Sequence, residues 1–181
     1  VYDAAFRRAG MLRVHDVDEL FDAVATLANP PKSSGDRLAI LTNGGGLGVL
    51  ATDTLIDEGG HLANLSDATR AALDGVLPRT WSQGNPVDII GDAPPARYEA
   101  AMKTLLADPG MDALLVLNCP TAIASSLDAA DAVVRSAKDA RVPVLTAWLG
   151  GSQGALDARR KFAEARLPSY ETPDKAVRGF M

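Results

Sequence analysis

Short apolar runs alternate with segments of helical periodicity from Arg37 to the end of the chain. The runs are apolar at nearly every position, which predicts strands of a parallel sheet covered by helices on both faces. The predicted strands are Leu38 to Thr42, His61 to Asn64, Val87 to Ile89, Ala113 to Leu117, Val144 to Ala147 and a weak one near Ser169. The predicted helices are Leu47 to Glu58, Asp67 to Val76, Ala96 to Ala107, Ser125 to Ala140, Gln153 to Ala165 and a last one from Asp174. This alternation indicates an α/β protein with a flavodoxin-like, doubly wound parallel sheet in three αβα layers.

The first 29 residues follow a different pattern. They predict the end of a helix over Tyr2 to Ala9, a short strand over Met11 to Val14, and a helix over Asp18 to Ala28 with Asp16 as its N-cap. That helix carries apolar residues at helical spacing, namely Val17, Leu20, Phe21, Val24 and Leu27. Two helices and one strand cannot make a core by themselves. We therefore assign residues 1–29 to the tail of a preceding domain, 30–36 to a Pro- and Ser-rich linker, and 37–181 to the flavodoxin-like domain.

A glycine-rich turn follows the first predicted strand of that domain. Asn43 ends the strand, and Gly44, Gly45 and Gly46 precede the predicted helix. Glycine accepts positive φ and lets another group approach the backbone closely, and a helix N-terminus has free N–H groups. The turn therefore predicts an anion-binding site, with a tight turn that binds nothing as the alternative.

Four loops are expected at one edge of the sheet, because strand-to-helix loops of a parallel sheet share an edge. These four loops, called the rim below, are Asn43 to Gly46, Gly84 to Gly91, Asn118 to Ile123 and Trp148 to Gly154. In the second loop, Pro86 biases Asn85 toward an extended conformation, and Asp88 and the following Asp92 add carboxylates. The third loop leads from an apolar strand toward a helix start, and the amides of Thr121, Ala122 and Ile123 are expected to point outward. Each loop alone is explained by turn chemistry, but four together predict a binding site.

Composition and charge argue against several classes of function. The net charge is −5 and the sequence lacks a Lys/Arg cluster, so we expect no nucleic-acid partner. No apolar run is long enough for a bilayer and no signal peptide is recognisable, so we expect no membrane association. Cys119 is the single cysteine, which agrees with a reducing, cytoplasmic location.

Individual reactive residues have simpler explanations. No Asp or Ser stands at triad spacing from His15 or His61, so both are interpreted as surface or half-buried polar residues. Cys119 follows an apolar strand and is interpreted as a packed thiol, with a nucleophile as the alternative. Trp81 and Trp148 are assigned to packing, and Asp88 to ordering its own loop rather than to general-base catalysis. We expect no metal site, because the sequence offers no group with metal-ligand spacing.

Better-known phosphate motifs do not fit the rim. A dinucleotide site would need an acidic residue at the end of the second strand, where Asn64 stands. A P-loop would need Gly-Lys-Ser/Thr, which is absent. A phosphoacceptor receiver would need clustered acids after its first strand, where Thr42 and Asn43 stand.

Three stretches carry a resemblance to a known family, namely TNGGGLGVLATDTLIDEGGHLANLS, GNPVDIIGDAPPARYEAAMKTLLADPGMDALLVL and PVLTAWLGG. They resemble the NDP-forming acyl-CoA synthetases of the acetyl-CoA and succinyl-CoA synthetase superfamily, over nearly the whole chain. The same region occurs in bacterial protein acetyltransferases with a synthetase-like part.

This resemblance implies a ligase in which a carboxylic acid, CoA and a nucleoside triphosphate interconvert with acyl-CoA through an acyl phosphate and a phosphohistidine. The family's phosphorylated histidine lies in a loop that would precede Val1, so no catalytic residue is expected here, and neither His15 nor His61 matches that loop. CoA, ADP or ATP, and Mg²⁺ are implied for the full enzyme, with none held by this chain. The implied partners are CoA-binding and ATP-grasp domains or subunits and a small carboxylic acid or acyl phosphate, and homo-oligomerisation stays open.

Individual positions can be matched to the family's loops. Asn43 matches an asparagine associated with the acyl substrate, and Gly44 to Gly46 match the glycines after it. Thr121, Ala122 and Ile123 match a Gly-Ile-Met segment whose amides face the carboxylate and the phosphohistidine in the succinyl enzymes. Pro120 and Thr121 replace glycines and alter the pocket, which puts a dicarboxylic substrate in doubt. Asn85, Pro86 and Asp88 match a loop-shaping motif.

Three functional hypotheses follow. The first is the acyl- and phosphohistidine-facing part of an NDP-forming acyl-CoA synthetase, inactive alone. The second is a regulatory domain that senses acyl-CoA, or a scaffold, in a protein lysine acetyltransferase. The sequence before Val1 discriminates between them, because an intact histidine loop would support the ligase. The third is an unrelated flavodoxin-like binding domain, for which a bound flavin would be the sign. It is disfavoured because the chain lacks a T-x-T-x-T-type phosphate loop.

Overall fold

A computed structural model describes residues 2–28 and 35–181, so Val1 and most of the predicted linker, residues 30–34, lie outside the described residues. The helices are α1 Tyr2–Arg8, α2 Val17–Ala28, α3 Gly45–Asp57, α4 Asp67–Val76, α5 Pro95–Leu105, α6 Ser126–Ala137, α7 Gln153–Glu164 and α8 Pro173–Phe180. The strands are β1 Arg37–Thr42, β2 His61–Leu62, β3 Val87–Asp88, β4 Ala113–Asn118, β5 Val144–Trp148 and β6 Ser169–Tyr170.

All strand pairs in the sheet are parallel, in the order β2-β1-β4-β5-β6. The short strand β3 also pairs with β1, opposite Leu41 and Thr42, whereas β2 pairs opposite Arg37 and Leu38. Because β4 occupies the other edge of β1, β2 and β3 share the remaining edge end to end. The predicted doubly wound parallel sheet is confirmed, and the predicted strand at Val87 is present as the short β3.

Two apolar layers enclose the sheet, as expected for strands that are buried on both faces. Alternate residues of β1 point to opposite layers, with Ala39 and Leu41 in one and Leu38 and Ile40 in the other. The larger layer packs under α4 to α7, and the smaller one under α3 and α8. Packing of the sheet between these two layers holds the carboxyl ends of β1 and β4 side by side.

The N-terminal segment differs from the prediction in one element. Residues 11–14 form no strand, because no strand lies beside them among the described residues to pair with their backbone. Asp16 does cap α2, since its carboxylate accepts a hydrogen bond from the Glu19 N–H at 2.7 Å.

The polar side of α2, not its apolar side, contacts the domain. The Thr26 hydroxyl lies 2.6 Å from the Tyr170 hydroxyl, and Asp22 forms an ion pair with Lys175 of α8. The predicted apolar residues are exposed instead, with 67% of Phe21 and 65% of Val17 accessible to solvent. The helix therefore presents an apolar stripe away from the sheet.

In the described part of the chain, the helices are too short and too polar to cross a bilayer.

Candidate functional site

The first rim loop leaves free N–H groups at the start of α3. The Thr42 hydroxyl accepts a hydrogen bond from the Gly44 N–H and donates one to the Gly44 carbonyl, which fixes the turn. Gly44 is the N-cap and offers no side chain, so the N–H groups of Gly45 and Gly46 have no acceptor among the described residues. The helix begins at Gly45, two residues earlier than predicted.

The glycines of this loop let neighbouring loops approach the backbone closely, and they do not adopt unusual backbone angles. None of Gly44, Gly45 and Gly46 has a positive φ, contrary to the conformational argument made from sequence. A Cβ on Gly44 would lie 3.1 Å from Cys119 Cβ, and one on Gly45 would lie 2.9 Å from Asp88 Oδ2. The turn therefore requires glycine because the second and third loops pack directly against it.

Asn43 joins the first loop to the third. Its side-chain oxygen accepts a hydrogen bond from the Cys119 N–H at 2.7 Å, and its side-chain nitrogen donates to the Cys119 carbonyl at 2.9 Å. Only 3% of Asn43 is exposed. The amide is thus fully engaged with the protein backbone in this structure, and its contribution to the site is to hold the two loops together.

Asn85 fills the gap that β2 and β3 leave on the edge of β1. Its side-chain oxygen accepts from the Ile40 N–H at 2.9 Å, and its side-chain nitrogen donates to the carbonyls of Leu38 and Ala63 at 2.9 and 3.0 Å. The Asn85 side chain therefore makes the backbone hydrogen bonds that a continuous neighbouring strand would otherwise make. This contact fixes the start of the second loop against the sheet.

Asp88 orders the second loop, as predicted. Its Oδ1 accepts a hydrogen bond from the Ile90 N–H at 2.8 Å, whereas Oδ2 has no donor among the described residues and points toward Gly45. Ser82 supports the loop, because its hydroxyl donates to the Pro86 carbonyl and accepts from the Asp88 N–H. Ile90 has φ 69°, a left-handed conformation that is costly for a β-branched residue.

The third loop leads into α6, which begins one residue later than predicted, and the residues matched to the family's helix start lie before it. α6 begins at Ser126, and the Ser125 hydroxyl caps it by accepting from the Asp128 N–H. Thr121, Ala122 and Ile123 therefore lie in the loop before the helix, because a side-chain cap four residues further on fixes the helix start. The Thr121 hydroxyl donates to the Gly91 carbonyl at 3.0 Å, which joins the second and third loops.

The fourth loop lies against the third. A Cβ on Gly150 would be 3.6 Å from Pro120 Cγ, and the Arg159 guanidinium donates to the carbonyls of Trp148 and Gly150. The four loops thus converge at one edge, as predicted.

Two arginines behind the rim were missed from the sequence. Arg97 and Arg159 lie in the helices that follow the second and fourth loops, and each donates to carbonyls of its own loop. The Arg97 hydrogen bond and positive charge lower the pKa of Asp92. The available signal is an arginine within two turns after a glycine-containing loop.

A buried polar pair lies at the end of β4 and was also missed. The Asn118 side-chain nitrogen donates to the Tyr98 hydroxyl at 2.9 Å, and Asn118 Oδ1 has no partner among the described residues. Burial raises the pKa of Tyr98 above its ordinary value of 10.0.

The remaining candidate residues follow their simpler interpretations. The side chains of His15 and His61 are mostly exposed, and each lies beside one carboxylate, of Glu19 and Asp36 respectively. Trp81 and Trp148 are buried in the larger apolar layer. Cys119 is partly buried against the smaller one.

The geometry of the fold and of the four loops defines a class of protein. It is a flavodoxin-like α/β domain whose four strand-to-helix loops meet at the carboxyl ends of the strands. Free N–H groups at the α3 N-terminus make that edge suited to an oxyanion.

Comparison with known proteins assigns the family. Residues 38–171 match the model of the Ligase-CoA domain. The chain is 36% identical over 180 residues to the alpha subunit of ADP-forming acetate–CoA ligase I of Pyrococcus furiosus, covering 98% of this chain and 38% of that subunit. It is 28% identical to the ADP-forming 4-hydroxybutyrate–CoA ligase of Nitrosopumilus maritimus, covering 98% of this chain and 25% of that protein.

A solved structure agrees with these relatives. The dinucleotide-forming acetyl-coenzyme A synthetase 1 of Candidatus Korarchaeum cryptofilum has 34% sequence identity and a TM-score of 0.90, over 98% of this chain and 39% of that chain. The same protein has been solved in complex with phosphate and ADP.

The chain belongs to the Ligase-CoA domain family of the ADP-forming acyl-CoA synthetases. It spans well under half the length of these relatives.

Proposed function

We propose that this chain supplies the acyl- and phosphohistidine-facing half-site of an ADP-forming acyl-CoA synthetase and is inactive alone. The observation that carries the proposal is that the second and third loops pack against the uncapped N-terminus of α3, with the fourth loop next to the third. The relatives named above are ligases, which favours this function over an acyl-CoA-sensing or scaffold role in an acetyltransferase.

The chemistry explains why such a rim is useful. A phosphoryl group or an acyl phosphate carries negative charge, and the N–H groups of Gly45 and Gly46 stabilise it without reorganising. Gly44 and Gly45 allow the neighbouring loops to close around that charge. In this proposal Asn43, Asn85, Pro86 and Asp88 shape the rim, and Thr121, Ala122 and Ile123 line its acyl side.

The rest of the reaction belongs to other domains or subunits. CoA-binding and ATP-grasp parts would supply CoA, the nucleotide and Mg²⁺. The described residues offer no group of three or more His, Cys, Asp or Glu that suits a metal, so we assign Mg²⁺ to the nucleotide-binding part. We place the assembly in the cytoplasm.

The exposed stripe of α2 supports the domain division proposed from sequence. Val17, Leu20, Phe21, Val24 and Leu27 are each at least 47% exposed, which is unfavourable unless another surface covers them. We propose that residues 1–29 pack with a preceding domain of the complete enzyme and that residues 30–36 connect it to the ligase domain.

Titration of the isotope-labelled chain with inorganic phosphate, followed by amide NMR, tests the half-site. We expect the Gly45 and Gly46 resonances to move, and the exposed Gly75 of α4 serves as the control for unspecific binding. Phosphate that leaves the rim amides unchanged, or moves Gly75 equally, contradicts the proposal. Acyl-CoA formation by this chain alone from acetate, ATP and CoA contradicts the claim that it is inactive by itself.

A further inference from the structure

The buried pair of Asn118 and Tyr98 lies where the third loop begins, and its hydrogen bonds are incomplete. Asn118 ends β4 with only 3% of its surface exposed, and Tyr98 of α5 is fully buried. The Asn118 side-chain nitrogen donates to the Tyr98 hydroxyl at 2.9 Å, whereas Asn118 Oδ1 has no donor among the described residues. The Tyr98 hydroxyl makes no other hydrogen bond in that part of the chain, so its proton has no acceptor there. The pair therefore offers one acceptor and one donor to a third group.

The neighbouring aromatic side chain does not supply the missing donor. The Trp148 ring lies 6.4 Å from the Tyr98 ring between centroids, but its indole N–H donates to the Ser126 carbonyl at 2.9 Å. A buried oxygen without a donor is unfavourable, and folded proteins leave few of them. The unpaired Asn118 oxygen at the edge of the rim therefore indicates a position that a ligand group fills.

The chemistry of the pair matches a neutral hydroxyl group. A hydroxyl donates its proton to Asn118 Oδ1 and accepts the proton of the Tyr98 hydroxyl. Turning the Asn118 amide by half a turn exchanges donor and acceptor, and a hydroxyl still satisfies both. A carboxylate only accepts and an alkyl group does neither, so each leaves a polar group unpaired. Burial raises the pKa of Tyr98, and the nearby Asp88 and Cys119 raise it further, so these surroundings also disfavour a negatively charged ligand group.

We propose that Asn118 and Tyr98 form a hydroxyl-binding subsite on the acyl side of the rim, which selects short carboxylic acids that carry a hydroxyl group. This inference rests on the proposed function, which places the acyl group at the third loop. The carboxylate of the acid faces the N–H groups of α3, and its hydroxyl reaches the pair. Access requires a shift of the third loop, which has no regular secondary structure between β4 and α6 and is joined to the second loop by the Thr121 hydroxyl.

The test compares hydroxy acids with apolar isosteres by NMR titration of the isotope-labelled chain. The pairs are glycolate with propionate and 3-hydroxypropionate with butyrate, in which a methyl group replaces the hydroxyl. We expect the hydroxy acid of at least one pair to move the Asn118 side-chain amide resonances and to bind at least about tenfold more tightly than its isostere. Tyr98→Phe removes one partner of the hydroxyl, so we expect it to reduce this preference to within about threefold. The double variant Tyr98→Phe with Asn118→Leu replaces both polar partners by apolar groups of similar shape, which leaves no unpaired group, and should lose the preference as well.

Tyr170→Phe is the matched control, because it removes the hydroxyl of another buried tyrosine, which lies 2.6 Å from the Thr26 hydroxyl and outside the rim. We expect this control to keep the preference for the hydroxy acid. Equal binding of acid and isostere in both pairs, Asn118 resonances that no acid moves, or an unchanged preference in Tyr98→Phe overturns the subsite. If the Gly45 and Gly46 amides still respond to phosphate in that case, the half-site stands without the subsite. Absence of that phosphate response counts against the half-site instead.

Discussion

Replacing Asn85 with alanine tests whether one side chain completes the edge of the sheet. The wild-type amide bonds to the Ile40 N–H and to the carbonyls of Leu38 and Ala63, and all three residues are at most 2% exposed. The Leu38 carbonyl keeps a second partner, the Ala63 N–H at 2.9 Å. The substitution therefore leaves two backbone groups, the Ile40 N–H and the Ala63 carbonyl, without a partner.

Each buried group that loses its partner costs about 1–3 kcal/mol. For two such groups, with some water entering the space, we expect Asn85→Ala to lower the free energy of unfolding by about 2–4 kcal/mol. That is a large share of the roughly 5–15 kcal/mol that stabilises a typical domain. Loss of this contact also frees the second loop, so the response of the rim to phosphate weakens.

Urea unfolding monitored by tryptophan fluorescence measures the effect, because Trp81 and Trp148 are buried and report loss of the core. Asn64→Ala is the matched control, since Asn64 is an exposed asparagine that makes no side-chain hydrogen bond among the described residues. We expect the control to stay within about 0.5 kcal/mol of the wild type. If Asn85→Ala unfolds with the same free energy as the control, the ladder interpretation is wrong.

Three further predictions address the rim and the pH dependence of stability. Gly45→Val should abolish phosphate binding in titrations and turnover in the intact enzyme, because the valine Cβ would lie 2.9 Å from Asp88 Oδ2. The circular dichroism spectrum should stay unchanged. Undiminished turnover would remove the glycine turn from the mechanism. Asn43→Ala should lower the free energy of unfolding by about 2–3 kcal/mol in urea, since it breaks both hydrogen bonds to the Cys119 backbone; an unchanged midpoint would argue against the connection between the loops. Asp112→Asn should lower the free energy of unfolding at neutral pH but not in acid. Hydrogen bonds from Arg37 lower the pKa of Asp112 from its ordinary value of 3.8. The Asp112 carboxylate therefore stabilises the fold above about pH 4, and this stabilisation is lost as the pH falls through the lowered pKa. Unfolding curves that differ equally at both pH values would contradict this last prediction.

Much of the fold was predictable because its signals are local. The run Leu38 to Leu41 is uniformly apolar and is buried on both faces, as a central parallel strand requires. The four loops share an edge because parallel strands all end there. Met11 to Val14 was wrong as a strand since strand formation depends on a partner, which an apolar pattern does not specify.

The details of the site depended on contacts between residues distant in sequence. Asn43 bonds to a backbone group 76 residues away, and Asn85 to one 45 residues away. Sequence reasoning identified both asparagines but not what they bind. The start of α6 was predicted to within one residue, but Thr121, Ala122 and Ile123 lie in the loop before the Ser125 cap and not at the helix start that the resemblance implied.

The amino-acid sequence by itself determined the strand and helix order, the glycine turn and the edge at which the loops meet, because periodicity and backbone preference act over a few residues. Only the tertiary structure decided that Asn43 and Asn85 are consumed by backbone hydrogen bonds, that Asp88 faces Gly45, and that the apolar side of α2 points outward. Those outcomes depend on which groups remain unpaired once the sheet is assembled, and that depends on the whole packed chain.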